Sequence, residues 1–238
     1  MAERQLYRVI NPIEERIGEE VDAASRPLSP RIYKTLELSP VFNLIIEFWM
    51  EEEVQLATAV QAIVLLPSYF ERLNIALDQQ KEFFELRYVN SKESKPLVET
   101  EKIRNLVIRY LQCGVKMNMD EGCYIWEYLW EVVRQAKYPN CISRYNCLFA
   151  FENQRDAEKY LRERINENPS QAIDKICHVE LKHIEKQEVY DMRWLDNISI
   201  FSTYNQYEKV VNNYWSGKMT KNSLKEVLFQ GTYILRNV

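Results

Sequence analysis

A chain of 238 residues, 46% hydrophobic and 28% charged, carries enough apolar material for a substantial core and lacks the composition of a disordered segment. Five glycines and eight prolines argue against a turn-dense sandwich, and with neither G-x-G-x-x-G nor a P-loop present, a nucleotide would be held by something other than those turns. A formal charge of -4 supplies no basic field for bulk nucleic-acid binding.

Leu6 to Ile10 (LYRVI) is a short β-prone run stopped by Asn11-Pro12. The polar stretch with Pro27, Pro30 and Pro40 predicts an extended surface loop. From Val41 to about Lys137 the pattern is helical. A helix over Val41 to Met50 starts after Ser39-Pro40, which reads as N-cap and first turn. Others are predicted over Glu53 to Leu66, Ser68 to Val89 and Glu99 to Cys113, with Ser91 to Pro96 as a polar hinge. A helix near Gly122 to Gln135 sets Trp126, Leu129, Trp130 and Val133 on one face, a stripe that reads as core.

The texture then changes. Asn146 to Phe151 predicts a buried strand, and Gln154 to Asn166 a helix with Ala157, Tyr160, Leu161 and Ile165 on its apolar side. Ile176 to Glu188 alternates as a strand, continued or paired by Val189 to Trp194. Tyr204 to Trp215 is a helix ended by Ser216-Gly217. Glu226 to Arg236 is a strand pair, or one strand bulged at Gly231. The hexapeptide Glu226 to Gly231 (EVLFQG) also matches a picornaviral 3C protease cleavage site used in expression vectors. Its continuation in register through Thr232-Tyr233-Ile234-Leu235 reads as native strand.

Sequence-distant strands flanking helices imply an α+β fold in one domain, 1–238: a first strand and loop over 1–40, a helical insertion over 41–137, and the remaining sheet core over 138–238. Five cysteines without a C-x-x-C pair, and two histidines, His178 and His183, make poor material for zinc and read as reduced thiols. The amino terminus has no apolar signal core, and the most apolar run, Leu56 to Leu66, is too short for a bilayer. A cytoplasmic protein without membrane contact is expected.

Four segments resemble, in order, the ADP-ribosyltransferase superfamily. They are Leu6-Tyr7-Arg8-Val9-Ile10; Pro139 to Phe151 followed by a helix with Ala157 and Tyr160; Tyr214-Trp215-Ser216-Gly217; and Lys225-Glu226-Val227-Leu228-Phe229 with Gly231. The second is similar to an "S-R-x-x-x-L-F-x-F … A-x-x-Y" element of small bacterial families with that fold, the last to the glutamate-bearing strand of toxins of the DarT type. The histidine-tyrosine-glutamate signature is absent. The resemblance covers the first ten residues and the last hundred. It implies a split β-sheet core with a large helical insertion after the first strand, and mono-ADP-ribosyltransfer from NAD to a nucleic-acid base (RNA or DNA) or a protein side chain. It also implies a toxin or phage-defence role, with an antitoxin or regulatory protein as partner.

On that resemblance Glu226 is the catalytic carboxylate and Arg8 the NAD anchor. Arg144, with Ser143 beside it, would hold phosphate. Tyr7 and Phe149, with Tyr145 and Trp215, are candidates to stack on nicotinamide, and Tyr33 would lie in a flap. A carboxylate suits this chemistry because losing nicotinamide develops positive charge on ribose. On the residues alone, Glu226 also reads as a solvated strand-end carboxylate, Arg8 as a surface arginine and Arg144 as a cap of local backbone. The alternative at the level of function is a non-enzymatic module whose helical middle binds a protein partner.

Overall fold

The computed structural model describes residues 5–25, 30–85 and 97–238. In chain order these form β1 (Leu6–Ile10), β2 (Glu20–Asp22), α1 (Pro30–Glu37), α2 (Ser39–Glu52), α3 (Leu56–Val64), α4 (Leu66–Asp78), β3 (Phe83–Glu85) and β4 (Leu97–Glu99). There follow α5 (Thr100–Gln112), α6 (Ile125–Lys137), β5 (Leu148–Phe151), α7 (Gln154–Glu167), β6 (Lys175–Asp191), α8 (Tyr204–Trp215) and β7 (Lys225–Asn237). The fold is mixed α+β. Its chain divides into two compact units, one of Met1–Leu28, Glu131–Asn197 and Val211–Val238, the other of Ser29–Trp130 and Ile198–Val210.

In the first unit β7 organises the sheet. One edge pairs antiparallel with β6, from Lys225 opposite Asp191 to Asn237 opposite Cys177. Along the other edge Glu226 to Phe229 pair with β5, and Thr232 to Ile234 with β2. β1 joins β5, with Tyr7 opposite Phe151, to β6, with Leu6 opposite Val179. Strands β7, β5, β1 and β6 therefore close on themselves as a four-stranded barrel-like sheet, to which β2 is appended. Closure leaves few open edges for foreign strands.

Strand alternation sorts the side chains by face. Leu6, Ile10, Leu148, Ala150, Cys177, Val179, Val227 and Phe229 form one fully apolar cluster. The other face carries Phe151 with Tyr7, Val9 and Ile176, packed against Ala157 and Tyr160 of α7. Asn153 starts that helix by accepting from the Asp156 amide at 2.9 Å, the usual capping service of an asparagine.

Two register shifts lie on β6, between Leu181 and His183 and between Ile184 and Lys186, flanking the position opposite Gly231. The bulge expected on the last strand is thus carried by its partner, and β7 runs as one strand of 13 residues, not a strand pair. Gly231 makes this fit. Its φ is +128°, and a Cβ there would fall 2.0 Å from the His183 carbonyl oxygen.

In the second unit α2 buries Val41, Phe42, Leu44, Ile45, Ile46, Phe48 and Trp49. The Trp49 indole donates to the Ser202 carbonyl at 3.2 Å and packs on Tyr204 and Tyr207 at 5.3 and 5.2 Å. Several local expectations are corrected here. Pro30 opens α1 inside the proline-rich stretch read as loop, a position where proline's missing N–H costs nothing. Ser39 does not cap α2; Leu38 occupies the cap, with no side-chain bond. The helix expected to start at Glu53 begins at Leu56 instead, because Glu53 is left-handed at φ 52° and ends α2. The helix from Ser68 ends at Asp78, and Phe83–Glu85 pairs with Leu97–Glu99 instead, tertiary pairing overriding local periodicity. Ser91 to Pro96, and the end of that helix, lie outside the described residues.

Gly231→Ala is expected to lose at least about 2 kcal/mol of stability, since both the backbone conformation and the approach to β6 oppose a methyl group. Urea unfolding of the two proteins side by side measures it.

Candidate functional site

The EVLFQG segment forms the interior of β7, with Glu226, Val227, Leu228 and Phe229 buried between β5 and β6. Glu226 shares the α7-bearing face of the sheet with its register partners Phe151 and Tyr190. It is 1% exposed, which overturns the reading as a solvated strand-end carboxylate. Removing an ionised carboxylate from water costs several kcal/mol unless it is paired and hydrogen-bonded. Arg144 and Tyr214 meet that requirement.

Arg144, in the turn before β5, is 7% exposed and so does more than cap local backbone. Its Nη1 donates to Glu226 Oε1 at 2.7 Å and to the Tyr214 hydroxyl at 2.6 Å. The Tyr214 hydroxyl in turn donates to the same Oε1 at 2.5 Å. Three groups so close a triangle of charge-assisted bonds, and both bonds accepted by Glu226 fall on one oxygen. The Arg144 guanidinium also lies over the Phe149 ring, 4.7 Å from its centroid, a cation–π contact that offsets part of its desolvation. Burial, with the carboxylate beside it, pushes the Tyr214 hydroxyl well above the usual phenol range, so it remains a donor at any ordinary pH.

The triangle is braced from behind. The Tyr190 ring stacks on Tyr214 at 4.7 Å, and its hydroxyl donates to Glu188 Oε2 at 2.9 Å. That oxygen also accepts from the Ile142 amide at 2.7 Å, two residues before Arg144. Asp191, next to Tyr190 and fully buried, accepts from the amides of Arg193, Thr220 and Leu224 and from the Thr220 hydroxyl, at 2.6 to 3.0 Å. It thereby ties the end of β6 to the loop that launches β7 and Glu226. Burial opposes its ionisation, but the bonds from Thr220, Arg193 and Leu224 outweigh it and hold the carboxyl below its usual range.

The remaining predicted residues separate. Arg8 points to the opposite face from Glu226, with Cys177 as register partner. Its side chain is 11% exposed and forks onto Glu15 at 2.8 and 3.0 Å, with Nη1 donating to the Phe149 carbonyl at 2.7 Å. It is not a surface arginine, because Glu15 and the sheet enclose it. Tyr7 shares the Glu226 face but stands two strands away, roughly 9–10 Å at ordinary strand spacing. Its hydroxyl donates to Gln5 at 3.2 Å. Ser143 donates to Glu131 at 3.0 Å and accepts from the Tyr145 amide at 3.2 Å; Glu131 also receives Arg134 at 2.7 and 3.0 Å. Tyr33 lies on α1, 58% exposed, and not in a loop. Arg144, Phe149 and Glu226 come together; Arg8 and Tyr7 do not join them.

In the sequence Tyr214 belongs to a motif that assigns it no role, and Tyr190, Glu188 and Asp191 carry no sequence signal of function. The spacing Tyr207, Val211, Tyr214 is an apolar helix stripe that announces core and hides the hydroxyl's use. For Asp191 no local signal exists, since its donors come from residues 193, 220 and 224.

An α+β chain with a closed sheet and a buried arginine–tyrosine–glutamate triangle on one face is the class of protein these features define. Residues 43–235 match the family described as "Protein of unknown function (DUF2441)", and the chain belongs to that family. None of the curated proteins matches it. Among the described residues no helix is long and apolar enough to cross a membrane.

Because the folded Asp191 carboxyl stays ionised below the usual value of about 3.9, its contribution is complete above that pH and lost as pH falls through the lowered folded value. Asp191→Asn is expected to cost about 1–3 kcal/mol at pH 7 and to flatten the acid limb of stability against pH. Thermal melts between pH 3 and 7 test both.

Proposed function

We propose that this chain is an NAD-dependent mono-ADP-ribosyltransferase acting in the cytoplasm as a toxin or defence effector, with its sheet as the split sheet of that superfamily and Glu226 as the catalytic carboxylate. The observation that carries the reading is the convergence of Arg144 and Phe149, near neighbours in sequence, with Glu226, 82 positions after Arg144, at one face of the sheet. A cation, an aromatic ring and a carboxylate in one place are the groups that phosphate, nicotinamide and an oxocarbenium-like ribose require.

In the reaction the ribose–nicotinamide bond breaks with its electron pair leaving on nicotinamide. An acceptor nucleophile, on a nucleic-acid base or a protein side chain, bonds to the ribose carbon and releases its proton to solvent. Glu226 stabilises the positive charge between these events. Arg144 supplies phosphate contacts by exchanging part of its bonding to Glu226 and Tyr214, and Phe149 offers a stacking surface. Arg8, bound to Glu15 and the Phe149 carbonyl, acts in this scheme by holding β1 against β5. An antitoxin or other regulatory protein is the expected protein partner.

One observation favours a second reading. Both arginines already have carboxylate partners within the fold, as they would in a binding module where the triangle only stabilises the sheet. The two readings separate in one experiment. Purified protein is incubated with NAD labelled in its ADP-ribose portion and with cell lysate resolved into nucleic-acid and protein fractions. Transfer to one fraction, reduced on the order of 100-fold or more by Glu226→Gln while circular dichroism reports a folded variant, is the expected result. Absence of both label and nicotinamide release from the wild-type chain selects the binding module.

A further inference from the structure

Every bond that Glu226 accepts from Arg144 and Tyr214 lands on Oε1, and neither falls on Oε2. A single nitrogen, Arg144 Nη1, serves both the carboxylate and the tyrosine. One donor atom leaves a carboxylate free to pivot about the shared oxygen; a second donor from another direction removes that freedom. Tyr214 is this second donor, and it comes from α8, an element separate from both the sheet and the Arg144 turn.

Tyr214 is itself immobilised. It is fully buried, with Tyr190 stacked on one side and Trp215 edge-on at 4.9 Å. Glu188 anchors Tyr190 through its hydroxyl and the Arg144 turn through the Ile142 amide, so one carboxylate holds both supports of the triangle in register. Such a chain of fixed rotamers is how a site keeps a reactive group within a fraction of an ångström of its working position.

We propose that Tyr214 is the positioning residue of Glu226: it pins Oε1 and so reserves Oε2 as the oxygen that meets the substrate ribose. The assignment of the substrate rests on the transferase reading above; the pinning of the carboxylate does not. Tyr214→Phe keeps the ring, its stack and its volume and removes only the hydroxyl. In the full-length protein the variant is expected to lower kcat for nicotinamide release about tenfold or more, within the range of a lost preorganised hydrogen bond, with KM for NAD changed less than about twofold. Independently of turnover, the Glu226 carboxyl carbon is followed by carbon-13 NMR of glutamate-labelled protein at fixed pH. Loss of the donor is expected to move its chemical shift and broaden the line as the carboxylate regains its pivot. A wild-type kcat together with an unmoved resonance overturns the proposal. Should the wild-type chain release no nicotinamide, the transferase reading falls, and the resonance alone decides: a moved, broadened line upholds the pinning by Tyr214, an unchanged one overturns it.

Discussion

The long antiparallel pairing of β6 with β7 is the constraint on which the first unit rests. These strands run together from Asp191 opposite Lys225 to Cys177 opposite Asn237, and each lends its other edge to a different neighbour. β7 takes β5 and then β2, while β6 takes β1, which returns to β5. A ring of only four strands must bend sharply. The two irregularities on β6 supply that bend, as bulges do, and Gly231 lets the strands touch where a side chain would collide.

Closure places ionisable groups where water is scarce, and the fold answers each with local partners. Glu226 is met by Arg144 and Tyr214, Asp191 by three amides and a hydroxyl, and Glu131 by Arg134 and Ser143. These groups differ in what their bonds do. Asp191 accepts on both oxygens and ties loop to strand, as a structural carboxylate would. Glu226 accepts on one oxygen, from side chains of two other elements, and is braced by a further layer through Tyr190 and Glu188. Buried ion pairs contribute little net stability beside well-packed apolar groups of similar size. The layers around Glu226 thus satisfy its buried carboxylate and fix its position at the same time.

Much of the local structure was legible from pattern. Leu6–Ile10 reads as a strand because an apolar, β-branched run is bounded by Asn-Pro. The helices near Glu99 to Cys113 and Gln154 to Asn166 show apolar residues at helical spacing and appear as α5 and α7. Tyr204 to Trp215 ends before Gly217, which takes a positive φ. The pattern misled in three places: Pro30 opens a helix inside a stretch read as loop, Glu53 is left-handed, and the aromatic pair Phe83–Phe84 is drawn into a two-stranded sheet. Arg144, Phe149 and Glu226 were identified as candidates individually, while their meeting was not visible, because no residue type announces a partner some eighty positions away.

By itself the chain determined its mixed α+β character, the position of several elements and the apolar register of the terminal strand, since these depend on periodicity and on residues close in sequence. Only tertiary structure decided that β6 and β7 close a ring, that Arg8 and Glu226 fall on opposite faces, and that a tyrosine in a helix stripe holds the buried carboxylate. Each of these follows from strand parity and from contacts between distant segments. Parity alternates with every residue, so which side chains share a face is settled only when the strands have chosen their partners and their register.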